Sequence, residues 1–333
     1  LPGGIKVKDE TTDSFKWNLS PHKSRIVDYN EERLKLLEST FVGGEEWKGT
    51  KLVSIHSEEI INVISKINQT IHKLSNKNKV VTEGWHETND INAGIIERKT
   101  IFPDYEKLEM IYSGPHIFVS NPSYKTPREI CSEKGHYDSI DLNVSKSFLP
   151  RTNYIPQSIN NFKKSLPNGD WVNNFKVGFR KMLSQAGERT LTGAILPPGT
   201  SHVNGIISVC FNDEDELLEF SGLTSSIVMD FYVKTIGASN LTDGRLNNFP
   251  IGIESKFYLY LKQRVLQLNC VNYQYKDLWE SNWIEETGSF IWSKEDCRLN
   301  TLNKLTEWTE ESPLRNYFER RFALVEIDVI SAM

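Results

Sequence analysis

The apolar residues that follow Ser113 occur in short runs separated by glycine, proline and asparagine. Three runs, at residues 117–120, 191–196 and 205–211, have the length of strands and are bounded by turn-forming residues. They predict β-strands through the centre of the chain. Since helical patterns lie on both sides of these runs, the sequence predicts an α+β fold with a mixed β-sheet core and flanking helices.

Helices are predicted wherever apolar residues recur at steps of three and four. The clearest case is residues 56–74, where isoleucine, valine and leucine occupy one side and charged residues the other. Residues 30–38 begin with acidic side chains, which suit the positive end of a helix dipole. The remaining predicted helices are residues 171–185, 213–220, 225–235 and 257–273, and an apolar, helix-like pattern from Arg321 to Met333.

Three segments follow from this order of elements. Residues 1–112 are predicted to be a mostly helical N-terminal part, residues 113–275 an α+β recognition domain, and residues 276–333 a C-terminal segment that leads into a helix. The chain starts with Leu1 rather than methionine and stops inside a helical pattern, so we expect it to be a piece of a longer protein.

Charge is distributed unevenly along the 333 residues, whose formal net charge is −5. This balance excludes a globally basic nucleic-acid coat. Residues 144–190 nevertheless carry eight basic groups against two acidic ones, interleaved with aromatic side chains, which is typical of a surface that follows phosphates. Residues 280–319 are acidic. Four tryptophans in or directly beside this segment are predicted to pack in the core or between domains, namely Trp279, Trp283, Trp292 and Trp308. The basic groups are Lys146, Arg151, Lys163, Lys164, Lys176, Arg180, Lys181 and Arg189.

The four cysteines stand far apart and form no Cys-x-x-Cys pair, so neither a zinc site nor a disulfide framework is indicated. No run of residues approaches the length of a membrane span, and no export signal is recognisable. We therefore expect a reduced, cytoplasmic protein without a membrane partner.

Most catalytic signatures are absent, including phosphate-binding loops and nucleophile elbows. One tetrapeptide, Asn121-Pro122-Ser123-Tyr124, resembles the Asn-Pro-Pro-Tyr motif of amino-directed DNA methyltransferases, in which asparagine binds the target amine and the ring stacks on an extruded base. It follows the predicted strand 117–120 but lacks an accompanying glycine-rich cofactor loop. Catalysis by Asn121, Pro122 and Tyr124, a DNA contact without catalysis, and an ordinary exit from a strand all stay open.

Several segments carry a resemblance to a known family. Residues 137–142, 149–156 and 187–199 resemble the C-terminal target-recognition region of large DNA adenine-specific methyltransferases, including single-chain, type IIG-like restriction-modification and phage-defence enzymes of bacteria. Residues 17–25, 85–88 and 320–328 support the match, which spans nearly the whole chain. Residues 225–237, Asn240 and residues 246–250 also resemble the helix, Gly-Asn loop and proline-ended strand of restriction specificity subunits.

The resemblance implies that this chain recognises double-stranded DNA and positions it for a catalytic domain. The partner would be a methyltransferase domain of the same polypeptide, with or without a nuclease domain. S-adenosylmethionine would bind to the full-length protein outside this chain, which would contain no cofactor or metal and have no catalysis by itself.

These segments contain side chains that are able to bind DNA. Arginine forks can bind phosphate or guanine, asparagine amides can pair with adenine, and small polar or cationic groups in loops can contact phosphates. The predicted DNA-binding residues are Arg151, Asn153, Tyr154, Arg189, His202, Asn204, Lys234, Ser239 and Asn240. Structural roles compete with these, notably a pairing of Arg189 with Glu188 and a helix stop at Gly237.

Two other functions stay open from sequence alone. In the first, the chain is part of the methyltransferase core with an active Asn121–Tyr124 motif, and binding of S-adenosylmethionine would reveal it. In the second, it is a protein-interaction module, which the acidic segment and the helix at 56–74 favour. DNA affinity that is absent, or that ignores salt, would then be expected.

Overall fold

A computed structural model describes residues 6–8, 11–12, 14–17, 23–44, 46–53, 55, 57–69, 72–133, 135–143, 148–300, 302 and 306–333. The strands are β1 Lys6–Lys8, β2 Phe15–Trp17, β3 Lys79–Thr82, β4 Ile96–Ile101, β5 Met110–Tyr112, β6 Lys125–Pro127, β7 Tyr137–Ser139, β8 Thr152–Pro156, β9 Lys176–Arg180, β10 Gly193–Leu196, β11 Thr200–His202 and β12 Ile206–Phe211. The helices are α1 Glu31–Leu37, α2 Glu58–Asn68, α3 Asn89–Asn92, α4 Ile159–Lys164, α5 Glu214–Ser225, α6 Ile227–Ile236, α7 Asp243–Leu246, α8 Ser255–Asn269, α9 Lys276–Asn282, α10 Glu285–Ser289 and α11 Tyr317–Ala332.

The N-terminal helices form where the sequence predicts them. Asn30 caps α1 by accepting a hydrogen bond from the Arg33 N–H, and acidic residues fill the first turn. Helix α2 buries Ile61 and Ile64 but is shorter than predicted. Of the predicted helix, residues 56, 70 and 71 lie outside the described residues. Arg33 pairs with Glu58 at 2.7 Å and so joins α1 to α2.

A four-stranded antiparallel sheet in the order β10-β9-β12-β3 forms the centre of the fold. Strand β9 was predicted as part of a helix over residues 171–185, and that prediction is wrong. Residues 171–173 form one 3-10 turn, after which the chain extends, with Val177 opposite Val209 and Phe179 opposite Ile207 on β12. Because β9 lies between two strands and is buried on both faces, its pairing outweighs the local helical spacing.

The remaining sheets are two-stranded. β5 and β11 pair in parallel, whereas β4 with β8 and β6 with β7 pair antiparallel. Parallel and antiparallel pairs therefore both occur, and the α+β class is confirmed. β3, β4 and β5 belong to the predicted N-terminal segment, yet they pair with β12, β8 and β11, so strand pairs cross the predicted boundary at residue 112.

Helices pack on one face of the four-stranded sheet. α5 contacts β9, β10 and β12, and α6, α8 and α11 pack around α5. The largest cluster of buried apolar side chains fills this layer and includes Trp279 and Trp283, which stack at 4.0 Å. Trp292 and Trp308 pack against the same cluster, so the predicted packing of these tryptophans is confirmed.

All four cysteines are free, and Cys131, Cys210 and Cys270 are buried. Within the described residues, no helix combines the length and the apolar composition needed to cross a membrane.

Candidate nucleic-acid interface

A cleft of about 810 Å³ collects residues from many separate parts of the chain, from Glu87 to Asn240. We call it the asparagine cleft. Its predicted members are Tyr124, Asn153, Tyr154, Asn204 and Asn240. Its charged residues are Glu87, Arg98, Lys125, Glu133, Arg180 and Lys181. The cleft therefore brings together five residues that the sequence selected separately, with four cations against two carboxylates.

Strand β8 supplies the floor of the cleft. The buried Tyr154 hydroxyl accepts a hydrogen bond from Arg98 Nη2 at 2.8 Å and donates one to Glu87 Oε1 at 3.0 Å. Burial raises the pKa of Tyr154, so the hydroxyl keeps its proton at neutral pH. The amide oxygen of Asn153 accepts from Thr100 Oγ1 at 2.8 Å. These bonds hold the floor side chains in one arrangement.

Two asparagines that line the cleft have unengaged side-chain amides. Asn204 lies in the turn between β11 and β12, where its backbone N–H donates to the Trp85 carbonyl at 2.7 Å. Asn240 is exposed in the loop after α6, and its backbone pairs with that of Met182. Among the described residues, neither side-chain amide has a hydrogen-bond partner, so both can bind a ligand edge.

The cations of the cleft differ in availability. Arg180 donates to the Gly114 and Ile117 carbonyls at 2.9 and 2.6 Å, and burial lowers its pKa. Lys181 pairs with Glu83 at 2.6 Å. Lys125 has no hydrogen-bond partner in the part of the chain that the structure describes, and its Nζ lies 5.4 Å from the centre of the Tyr124 ring. Lys125 is therefore the cation that is best placed to meet an anion.

The Asn121–Tyr124 segment forms a wall between this cleft and a second one. Residues 117–120 form a turn rather than the predicted strand, with Ser120 in the left-handed conformation at φ 47°. The Asn121 side-chain oxygen accepts from the Ser123 N–H at 3.0 Å, which closes a local turn. Tyr124 stacks on Phe118 with ring centres 4.9 Å apart.

The second cleft has a volume of about 720 Å³ and lies on the other side of Tyr124. We call it the arginine cleft. Its charged residues are Asp141, Glu188, Arg189, Arg315, Arg320, Arg321 and Asp328. It is built from the Asn121 turn, the loop before β10 and helix α11. These three regions include the Asn121–Tyr124 motif and residues from the segments 187–199 and 320–328, all of which carry the resemblances described above.

Arg320 anchors the turn that separates the clefts. Its buried guanidinium donates to the carbonyls of Ser120, Leu268 and Leu314 at 2.8 to 2.9 Å. Burial lowers the pKa of Arg320 to about 9, so the group stays charged at neutral pH. Ser120 also contacts Ser225 through their hydroxyls at 2.5 Å. The position of the turn is thus set by α11 and α5.

The other predicted residues lie apart from the asparagine cleft. Arg189 lines the arginine cleft and donates to the Ser225 carbonyl, while Glu188 pairs with Arg321 instead. Arg151 stacks over Phe102 at 4.2 Å. Lys234 and Ser239 are exposed and line neither cleft, and Gly237 ends α6 in the left-handed conformation.

His202 is in the core, which corrects the prediction that it binds DNA. The side chain has no exposed surface, its Nδ1 donates to the Val203 carbonyl, and its Nε2 accepts from the Ser208 hydroxyl. A ligand cannot reach it without unfolding this part of the sheet.

The basic block does not form one charged surface. Lys176 is fully buried, where it donates to three carbonyls and burial lowers its pKa to about 7. Lys163 and Lys164 are exposed, and Lys146 lies outside the described residues. Two of the four cations that line the asparagine cleft, Arg98 and Lys125, lie outside this basic block of residues 144–190. Sequence reasoning missed both, although Lys125 directly follows the Asn121–Tyr124 motif.

No protein-family model matches the chain, and no curated protein is significantly similar to it. Within its described part, the chain has no group of three or more histidine, cysteine, aspartate or glutamate side chains that could hold a metal ion.

Proposed function

We propose that this chain binds double-stranded DNA through the asparagine cleft, as the target-recognition region of an adenine-specific DNA methyltransferase of the restriction or phage-defence type. The observation that carries the proposal is that Asn204, Asn240 and Lys125 line the same cleft. Unengaged amides beside an available cation are the combination that reads a base edge while contacting a phosphate.

Each group has a distinct task in this proposal. The amides of Asn204 and Asn240 pair with adenine through its N6 and N7 positions. Lys125 contacts a phosphate and contributes affinity without sequence preference. Tyr124, supported by Phe118 and by Arg180, whose Cζ lies 5.8 Å from each ring centre, offers an aromatic face at the edge of the cleft.

The proposal places catalysis outside this chain. A methyltransferase domain of the same polypeptide would bind S-adenosylmethionine and receive the DNA. The Asn121 oxygen, which would have to accept the target amine, is engaged by the Ser123 N–H, and Pro122 is buried. These contacts favour a structural role for the tetrapeptide. The four free cysteines support a cytoplasmic setting.

DNA affinity is expected to fall linearly on a log–log plot as salt rises, because phosphate contacts release counterions. Lys125→Ala should lower the magnitude of the slope by about 0.9 and weaken binding about tenfold at low salt. Fluorescence anisotropy with a labelled duplex between 50 and 200 mM salt measures both. Lys163→Ala, which removes an exposed cation of α4 outside both clefts, is the matched control. Equal slopes for Lys125→Ala and the unaltered chain would exclude the cleft as the DNA surface.

Asn204→Ala and Asn240→Ala test the base contacts separately. Each should leave the salt slope unchanged and relax the sequence preference at one base pair, at a cost of about 1–3 kcal/mol for the preferred base. Selection of bound duplexes from a randomised pool measures this preference. Variants that select the same sequence as the unaltered chain would contradict the assignment of these amides.

The chain alone is expected to transfer no methyl groups. Incubation with radiolabelled S-adenosylmethionine and duplex DNA measures this directly, with a known adenine methyltransferase as the positive control. Methyl transfer that Asn121→Ala abolishes would overturn the recognition-only proposal and place the active site at the Asn121–Tyr124 turn.

A further inference from the structure

We propose that the arginine cleft binds a small anion joined to a flat apolar group, a ligand of the chemical class of the nucleoside monophosphates. This inference does not depend on DNA binding. It rests on the cations of the cleft, on an unsatisfied donor within it and on the apolar walls around it.

Arg189 supplies the unsatisfied donor. Its Nη2 donates to the Ser225 carbonyl, but its Nε–H is buried and has no partner among the described residues. Buried polar groups are almost always hydrogen-bonded, and a guanidinium with a donor to spare can bind a phosphate or carboxylate oxygen. Arg189 lines the cleft wall, so the guanidinium that carries this spare donor lies next to a ligand in the cleft.

The positive charge of the cleft is only partly neutralised. Arg321 pairs with Glu188, and Asp328 accepts from the Ile227 N–H. Burial raises the pKa of Asp328, and the nearby Arg189 and Arg321 lower it. In the described part of the chain, Arg189 and Arg320 have no carboxylate within ion-pair distance, and Arg320 donates only to carbonyls. Two cations of the cleft therefore lack an ion pair, and Arg189 is the one with a donor to spare, since the buried Arg320 already donates to three carbonyls.

The walls of the cleft are apolar and flat in part. The stacked rings of Phe118 and Tyr124 form one wall, and Ile227 and Val325, which are 55 % and 54 % exposed, form another with Leu324. A ligand that covers exposed aliphatic side chains removes apolar surface from water, which favours its binding. The volume of about 720 Å³ lies within the range of small-molecule sites.

The arginines and the apolar walls together indicate the chemical class of the ligand. Bare phosphate would use the arginines and leave the apolar walls uncovered, and a neutral ring would do the reverse. A nucleoside monophosphate has a doubly charged phosphate for the arginine fork and a flat base for the walls, so it uses both features.

Isothermal titration of the chain with AMP is the direct test. AMP should bind at least about tenfold more tightly than adenosine or inorganic phosphate, since each of these loses one set of contacts. Arg189→Gln should weaken AMP binding about tenfold or more. Val325→Asp, which adds a negative charge to an exposed wall position, should do the same without disturbing the core. Lys234→Gln removes an exposed cation outside the cleft and should leave AMP affinity unchanged.

Three results would overturn the proposal. These are no AMP binding at millimolar concentration, adenosine or phosphate binding as tightly as AMP, and equal AMP affinity for Arg189→Gln, Val325→Asp and Lys234→Gln. The salt slope for DNA should be the same in Arg189→Gln as in the unaltered chain. Failure of the nucleotide site can therefore be told from failure of DNA recognition.

Discussion

The free energy of unfolding is expected to fall steeply as the pH drops from about 6.5 to about 4, because two histidines are buried in their neutral form. His202 and His116 have no exposed surface. Burial lowers the pKa of His202 to about 3 and that of His116 to about 4. Each ring is held as one neutral tautomer. His116 donates from Nε2 to the Arg151 carbonyl and accepts at Nδ1 from the Ser113 N–H.

The direction follows from proton counting. In the unfolded chain both rings titrate near pH 6.5. Below that pH the unfolded state therefore binds protons that the folded state does not bind. Stability is therefore fully present above about pH 6.5 and is lost as the pH falls towards the folded-state values. Each histidine contributes about 1.4 kcal/mol per pH unit, and by pH 4 the loss from both is on the order of 5 kcal/mol.

Urea unfolding at several pH values between 7.5 and 4 measures this loss. His202→Gln should have a shallower pH dependence, since one of the two buried rings is gone. His86→Gln, which replaces an exposed imidazole whose Nδ1 accepts from the Thr88 and Asn89 N–H groups, is the control for loss of a histidine at the surface. A stability that stays constant from pH 6.5 to pH 4.5 would contradict the burial of both rings in neutral form.

Removing one partner of the Arg264–Glu326 ion pair is expected to destabilise the chain by about 3–5 kcal/mol, because the other charge is then left buried without its counter-ion. The two side chains are only 3 % and 9 % exposed. Arg264 also donates to Gln267 Oε1 at 2.9 Å and to the Ile291 carbonyl at 3.0 Å, and Glu326 accepts from the Ser293 N–H at 2.7 Å. The pair thus joins α8, α11 and the segment between them.

A double-mutant cycle separates the pair from simple loss of packing. Arg264→Met and Glu326→Leu should each lower the free energy of unfolding by about 3–5 kcal/mol. The double variant should lose no more stability than either single variant, because the second change removes the charge that was left without a partner. Guanidinium or urea unfolding provides the free energies. Arg128→Met, which breaks an exposed pair with Asp138, should change stability little. Losses that simply add in the double variant would disprove the coupling.

Long helices could be predicted from the sequence because one face of each must be apolar. The predictions for α5, α6 and α8 are confirmed, and their ends differ from the predicted ends by a few residues. Strand β9 could not be predicted in the same way. Its apolar residues fit both a period of two and a helical period, and Gly178 leaves room for Leu196, whose Cδ1 would lie 2.7 Å from an added Cβ. Only the strands on both sides decide between the two.

The candidate site shows a similar division. Asn153, Tyr154, Asn204, Asn240 and Tyr124 could be selected by side-chain chemistry and by their positions in loops or beside prolines, and they meet in one cleft. His202 has suitable chemistry but is buried, since burial depends on the strands around it. Lys176 and Arg180 belong to a basic block in the sequence, yet the fold uses them to satisfy buried or partly buried carbonyls.

By itself the sequence determined the α+β class, the main helices and the kinds of side chain available for binding, because periodicity and residue chemistry are local properties. The tertiary structure alone decided which polar groups face a cleft and which lie in the core. It also decided that Arg189, Arg320 and the Asn121 turn meet, although they are far apart in the chain. Such contacts depend on strand pairing and helix packing between distant segments, and no local pattern encodes them.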